Sequence, residues 1–412
     1  MAVSTLRAGV VRQTAPAERR VAVVPTAVAG LRGAGIEVLV QAGAGAGARY
    51  SDQDYTDAGA SVLSEEDLYE QADVLLSVTA PDPAALRLLR PGQALMGLLR
   101  PLSNPRLARD LAAAGATAIS LDGVPRTLSR AQTMDALSSQ ANVAGYKAVI
   151  VAAEAYDRYL PLLMTAAGVA RPAQVLVLGA GVAGLQAIAT AHRLGAVVSG
   201  YDVRPEAQEE IRSLGADALD LPTVTEATAS GGYARALTSD EQRAQREALA
   251  AVMGRFDIVI ATAQAIGGPP PLLVDDDALR ALRPGAVAVD LASGPLGGNV
   301  YGSRPGETTY TKNGVAVIGA AELAATVPRA ASEAYARNIG ALLTHMTREG
   351  RLRIDLDDEI QAGVVITHEG SVVHPAAAKA VAALAPESDE PVDQDIAAET
   401  TLDGGRYGPR SA

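Results

Sequence analysis

The sequence predicts an α/β protein of two domains, each built on a mostly parallel sheet, with a deep cleft between them. Short runs of β-branched and aliphatic residues alternate with helical patterns along most of the chain, which calls for crossover connections and parallel pairing. At 412 residues the chain is too long for one ordinary core. Residues 174–204, QVLVLGAGVAGLQAIATAHRLGAVVSGYDVR, set a β run, a glycine turn, a helix, a second β run and an acid in that order.

Taken in chain order, Val21–Val24 is the first expected strand, and Pro25 opens a helix that ends near Gly33 or Gly35. Glu37–Gln41 is the next strand, followed by a glycine-rich loop at Ala42–Ala48. Val74–Val78 and Ala94–Leu98 follow as strands, and a Pro105–Gly115 helix leads into a Thr117–Ser120 strand. A helical stretch at about Thr133–Tyr159 joins this region to the glycine turn. The second domain contributes the strands Val175–Leu178, Ala196–Tyr201, Phe256–Ala261 and Ala286–Asp290. An amphipathic helix over 331–350 returns to the first domain, which makes that domain discontinuous, at 1–140 plus 326–385 around 141–325. The acidic, polar segment 386–412 reads as a disordered tail.

Composition excludes several function classes. Trp is absent and Phe occurs once, so the core must be aliphatic. Without Cys there are no disulfides, thiolate metal sites or cysteine nucleophiles. A formal net charge of −12 opposes nucleic acid and anionic lipid as partners. The N-terminus has no continuous apolar stretch of the signal-peptide kind, so a cytoplasmic location is expected. The uncharged run Pro172–Ala191 is long enough to raise a membrane span, but its glycines, glutamines and strand-turn-helix pattern fit nucleotide binding far better. No direct span is expected.

Within that run each part has a physical task, and together they describe a Rossmann-like unit. Gly179 permits the tight strand-to-helix turn, Gly181 lets backbone approach a pyrophosphate, and Gly184 lets helix and strand pack closely. The open N–H groups and the positive end of the helix then face the phosphates. Asp202 lies 202 − 184 = 18 residues past the last glycine and can accept hydrogen bonds from both hydroxyls of an adenosine ribose. Its charge would repel a 2′-phosphate, which favours NAD over NADP, although nearby Arg204 softens that preference.

A second polar constellation precedes the glycine turn at 124–142, VPRTLSRAQTMDALSSQAN. One reading is a helix N-terminus capped by Thr133 or Asp135, with Arg126 and Arg130 solvated. The other is a polar loop at the cleft, where Gln132, Asp135 and Ser138 match the donors and acceptor of a carboxamide and an arginine reaches a phosphate or the carboxamide oxygen.

The segment Arg130–Tyr146, RAQTMDALSSQANVAGY, resembles the nicotinamide-contacting loop and following helix of the NAD(H)-binding subunit of proton-translocating NAD(P) transhydrogenases. The likeness continues through MTAAG (164–168), the glycine turn, YDVRP (201–205), GGYA (231–234), PGAVAVDLA (284–292), GGN (297–299) and NGVAVIG (313–319). ERRVAVVP (18–25) also fits, and coverage is most of residues 10–375. The resemblance implies a homodimer of Rossmann-like domains holding NAD(H) in the cleft. It implies docking on membrane-embedded subunits that carry NADP(H), with Re/Si-specific hydride transfer between the two nicotinamides, and a peripheral place on the inner face of the cell membrane. It implies no metal.

By the same resemblance Gln132 sits at the junction with the partner's cofactor, and Asp135 and Ser138 hold the NAD carboxamide, so that Gln132 and Asp135 serve the reacting end. Gly179, Gly181, Gly184 and Val182 cover the pyrophosphate; Asp202, with Val203 and Arg204, takes the adenosine ribose. Gly232 and Tyr233 belong to a mobile loop, and Ala263 and Gln264 to a loop beside the nicotinamide.

Alanine dehydrogenase shares the pattern but uses a lysine after the third strand region and a histidine after the next. This chain has Thr79 and Arg100 there, and its only histidines are His192, His345, His368 and His374, which read as surface or structural groups. Hydride exchange between two nicotinamides needs close approach and exclusion of water but no acid or base, so the missing groups favour the transhydrogenase reading. Arg20, which matches a substrate-binding arginine of alanine dehydrogenase, reads here as an inter-strand or domain-packing charge.

Three departures from the family pattern stand out. PRTLSRAQ is one residue longer than usual, which displaces Arg126 and leaves Arg130 as the safer anchor. The loop AQAIGGPPP (263–271) replaces a family loop beside the nicotinamide. AAELAATVPRAAS (320–332) alters the partner-facing surface or the dimer contacts. A stand-alone amino-acid dehydrogenase and a non-catalytic NAD-binding paralogue are the alternative readings.

Overall fold

The structure, a computed structural model, describes residues 5–166, 168–221, 237–264 and 268–384. Gly232, Tyr233 and the expected tail at 386–412 lie outside the described residues, as do Ala265, Ile266 and Gly267 of the altered loop.

The first strands in chain order are β1 (Leu6–Val10), β2 (Ile36–Gln41), β3 (Ser61–Leu63), β4 (Val74–Thr79), β5 (Ala94–Leu98) and β6 (Thr117–Ser120). A hairpin of β7 (Leu163–Thr165) and β8 (Gly168–Ala170) precedes β9 (Gln174–Leu178), β10 (Val197–Tyr201), β11 (Asp217–Ala218), β12 (Ile258–Ala261), β13 (Val287–Asp290), β14 (Thr308–Tyr310) and β15 (Ala316–Gly319). The last are β16 (Thr347–Arg348), β17 (Arg351–Leu352), β18 (Val365–His368) and β19 (Ser371–Val372).

These strands make two large sheets, so the fold is α/β and mostly parallel. The first runs β19-β18-β6-β5-β4-β1-β2-β3, parallel except where β18 and β19 join antiparallel at one edge. The second runs β11-β10-β9-β12-β13-β15-β14, parallel except for β14. Helices cover both faces, so the inner strands β4, β5, β9, β12 and β13 read as nearly continuous Val, Ile, Leu and Ala runs. The 19-residue helix Pro328–Met346 packs on the first sheet, its Tyr335 hydroxyl donating to the Ser77 carbonyl at 2.8 Å.

One expected strand is not in a sheet. Val21–Val24 is fully buried but runs as an irregular segment, and the place at the centre of the first sheet belongs to β1. Side chains satisfy its backbone instead: Val21 N–H donates to Ser332 Oγ at 3.0 Å, and the Val23 carbonyl accepts from the Tyr55 hydroxyl at 2.8 Å. The joining helix also starts later than the pattern suggested, at Ala136, because Asp135 caps it. The helix expected over 331–350 begins at Pro328, a residue pre-set for a first helical turn, and stops at Met346. Beyond it the pair β16–β17 turns at Glu349 and Gly350, both at positive φ.

Candidate functional site

The glycine turn sits at the carboxyl end of β9, where the strand order of the second sheet reverses. Gly179 has φ +96°, and a Cβ on Gly184 would lie 1.8 Å from the Gly179 carbonyl oxygen, so only glycine lets the helix Val182–Arg193 sit this close to the strand. Thr262, after β12, donates to the same carbonyl at 2.9 Å and fixes the turn. Around Gly181, by contrast, a Cβ would meet nothing within 4 Å, and no side chain caps the helix N-terminus there. That leaves a cradle of open N–H groups of the shape a pyrophosphate needs. Val182 is exposed beside it.

Asp202 follows β10 across the turn. Its Oδ2 accepts from Ala180 N–H at 2.7 Å and from Arg204 Nη2 at 3.0 Å; its Oδ1 accepts from Arg204 N–H and Nε, each at 2.9 Å. All four lone-pair positions of the carboxylate are therefore taken, three of them by Arg204, and a ribose hydroxyl must displace part of that clamp. Val203 packs its side chain on the core beneath.

The second constellation meets both sequence readings at once. Residues Ser129–Met134 form a short 3-10 turn, and Asp135 then caps the helix Ala136–Ala155. Its Oδ1 accepts from Ser138 N–H at 2.8 Å and its Oδ2 from Ser138 Oγ at 2.6 Å, with Arg126 Nε 3.3 Å away. The structure thus brings Arg126, Asp135 and Ser138 together, while Gln132 is exposed at the rim. Arg130 points elsewhere and pairs with Glu359 at 3.0 Å on the exterior. Asp135→Ala should remove the cap and cost about 1 kcal/mol, read as a lowered urea midpoint.

Two features tie this cluster to the glycine turn. A Cβ on Gly145 would lie 2.1 Å from the Ala183 carbonyl, so the helices Ala136–Ala155 and Val182–Arg193 touch backbone to backbone. Asn142 Nδ2 donates to Gln186 Oε1 at 3.0 Å across the same contact.

The loops after β12 and β13 complete this edge with residues that sequence reasoning did not single out. Asp290 is fully buried; burial pushes its carboxyl above the usual range, although Val300 N–H at 3.0 Å and Ala292 N–H at 2.9 Å donate to it. Asn299 donates to the carbonyls of Ala263 at 3.0 Å and Pro271 at 2.7 Å, holding both ends of the altered loop, while Gln264 is exposed. An acid ending a β run before a Gly/Pro-rich loop was the signal available for Asp290.

Arg20 is 3% exposed and lies between the two sheets rather than between strands. It forks onto Glu18 (2.6 and 2.8 Å) and donates to Gln140 Oε1 at 2.8 Å and to Glu322 Oε2 at 3.2 Å; Glu322 also pairs with Arg100. Thr79 is bound to Gln13 Oε1 at 3.0 Å. It lines a cavity of about 380 Å³ at the carboxyl ends of β1 and β4, which does not include the glycine turn. His345 pairs with Asp358 at 3.0 Å, His368 meets Thr117 at 3.1 Å, His374 caps the helix Pro375–Ala382, and His192 is exposed.

With this geometry in hand, residues 9–144 match the family model described as alanine dehydrogenase/PNT, N-terminal domain, and residues 148–375 match alanine dehydrogenase/PNT, C-terminal domain. The chain is 40% identical over 381 residues to the first of the polypeptides that make up NAD(P) transhydrogenase subunit alpha in Rhodospirillum rubrum, covering 90% of this chain and 98% of that one. It is 39% identical over 385 residues to NAD(P) transhydrogenase subunit alpha of Cereibacter sphaeroides, covering 92% and 73%. A crystal structure of transhydrogenase from Sinorhizobium meliloti superposes with a TM-score of 0.80 at 41% identity, over 89% of this chain and all of that one.

Proposed function

The chain belongs to the alanine dehydrogenase/PNT family, and from that premise we propose that it is the NAD(H)-binding subunit of a proton-translocating NAD(P) transhydrogenase. The observation that carries the reading is the backbone contact of Gly145 on Ala183, which fixes the Arg126–Asp135–Ser138 cluster relative to the glycine turn. One rigid unit then presents groups for both ends of a dinucleotide, as hydride transfer without acid or base requires. When bound, the nicotinamide supplies or accepts the hydride. The protein's role is to hold the nucleotide and leave one face of its ring open to NADP(H) on a partner subunit.

In that role Gly181 and the helix N-terminus hold the pyrophosphate, Asp202 the ribose, and Asp135 with Ser138 the carboxamide, while Gln132 meets the partner's cofactor. Gln264 and Ala263 line the ring's other side. We assign residues 1–140 and 326–385 to one domain and 141–325 to the other, supported by the return of β18 and β19 to the first sheet. No helix of the described residues is long and apolar enough to cross a membrane, so proton translocation on this reading belongs to membrane-embedded partners. A homodimer peripheral to the inner face of the cell membrane completes the proposal.

The test is hydride exchange between NADH on this protein and an NADP-type acceptor on a transhydrogenase NADP(H)-binding subunit. Gln132→Ala should lower the exchange rate about 100-fold while NADH affinity stays within about twofold, since a rim contact positions the rings rather than binding either one. Alanine-dependent NAD reduction without any partner would overturn the reading. A further prediction concerns Arg204: Arg204→Ala frees Asp202 and bares its charge. The preference for NADH over NADPH should widen about tenfold, measured by competitive fluorescence titration.

A further inference from the structure

A feature outside the nucleotide contacts lies where the carboxyl ends of the two sheets face each other. Arg100 follows β5 of the first sheet and Glu322 follows β15 of the second, with Arg20 beneath them. Two guanidinium groups from one sheet's side converge on a single carboxylate from the other. This is the geometry by which proteins grip a small organic acid, since the planar guanidinium fork matches a carboxylate. Both exposed members are in left-handed backbone, Arg100 at φ +49° and Glu322 at φ +48°, a conformation that side-chain-bearing residues rarely adopt. Neither is glycine, so the ion pairs must hold the turns that glycine would adopt freely.

We propose that Arg20 and Arg100 form a binding site for a small monocarboxylate, and that Glu322 fills it as a tethered ligand. The site opens to solvent: Glu322 is 37% and Arg100 58% exposed, above an Arg20 that is 3% exposed. Gln140 anchors the buried arginine from the helix that Asp135 caps, so the site belongs to the same cleft edge as the nucleotide groups. It lies three strands from the glycine turn, roughly 15 Å by ordinary strand spacing. A tethered carboxylate acts at high effective concentration, so free organic acids are kept out. Glu322 is thereby a specificity-determining residue that reserves this edge of the cleft. Glu18 and Asp122 also face the arginines, Glu18 as the fork partner of Arg20 and Asp122 accepting the Arg100 N–H at 3.0 Å. They lower the net positive charge, so a free acid should bind only weakly, with a Kd of about 1 mM.

Glu322→Gly is the informative variant, because it removes the carboxylate and suits the left-handed turn. Glu322→Asn, also tolerated there, gives a second reading should the first not fold. Sodium acetate is titrated calorimetrically into full-length protein at constant ionic strength, with acetamide as the neutral control. Wild type should show no saturable heat up to about ten times that Kd, whereas Glu322→Gly binds one acetate and no acetamide. Adding Arg100→Ala should abolish the gain. Equal acetate binding by wild type, no binding by either variant, equal binding of acetamide, or binding that survives loss of Arg100 would each overturn the proposal. NADH is absent from the titration, so failure here leaves the nucleotide reading untouched.

Discussion

Gly184→Ala should abolish measurable NADH binding and destabilise the protein, whereas Gly181→Ala, three residues away, should abolish binding and leave stability alone. The difference rests on what each new methyl group meets. At Gly184 a Cβ would lie 1.8 Å from the Gly179 carbonyl oxygen and 3.2 Å from Thr262 Oγ1. Backbone cannot rotate aside as a side chain can, so the helix Val182–Arg193 must retreat by more than 1 Å, on the order of what a normal carbon–oxygen contact requires. Ala187, Ile188 and Ala191 of that helix are fully buried, and a retreat would open their packing. Overpacking of this kind costs about 1–3 kcal/mol. At Gly181 nothing of the protein lies within 4 Å, and its φ of −76° suits any residue. A methyl group there meets only the space a pyrophosphate would need. NADH fluorescence titration and thermal melting read the two effects separately. Normal NADH affinity in both variants would remove the glycine turn from the binding site.

Much of the fold was legible because parallel strands buried on both faces leave an unmistakable apolar signature. Ala94–Leu98 and Thr117–Ser120 occur at the expected boundaries, and β4, β9, β12 and β13 differ by a residue or two. The failure at Val21–Val24 has a definite cause. Four consecutive apolar residues have the composition of a buried strand, yet burial here is achieved by side-chain hydrogen bonds to the backbone from Tyr55 and Ser332. Those partners are distant in sequence, and nothing local announces them. The true first strand, LRAGV, carries Arg7 and Gly9 inside a short run, which weakens the same signature.

The candidate site divides along similar lines. Backbone-defined features were legible, since a turn at φ +96° and a helix start in near contact with a strand demand glycine and so write themselves into the sequence. Side-chain partnerships were not. Arg126 and Arg130 are four residues apart in one loop, and only the turn at Ser129–Met134 decides that the first reaches Asp135 and the second Glu359. Glu322 looked like one polar residue in an altered stretch, AAELAATVPRAAS; its meaning depends on Arg20 and Arg100, some 300 and 220 residues earlier. Asn299, Thr262 and Gln140 act through carbonyls and arginines that only the assembled sheets bring near.

Arg20→Met should be the most damaging single change to stability at neutral pH. The guanidinium satisfies Glu18, itself 5% exposed, and the Gln140 carbonyl oxygen, and it shares Glu322. Methionine fills much of the volume but leaves Glu18 a buried charge without its fork, a loss worth about 3–5 kcal/mol. For a chain of this size the melting temperature should fall by on the order of 10 °C. Arg20→Lys should recover only a fraction, because one ammonium cannot span the Glu18 fork and Gln140 together. The variant should also shift acid sensitivity. Burial raises the Glu322 pKa, but Arg100 and Arg20 together outweigh it and hold the carboxyl below its ordinary value. A carboxyl depressed in the folded state contributes stability above its unfolded pKa, and that contribution is lost as pH falls through the folded pKa. With Arg20 gone the folded value moves up, so less stability remains to be lost on acidification from Glu322. Urea denaturation at pH 7, 5 and 4 should therefore show a variant much weaker than wild type at pH 7, with the gap narrowing toward pH 4. A difference below about 1 kcal/mol at pH 7, the scale of an exposed ion pair, would mean that Arg20 is not the keystone of the inter-sheet network.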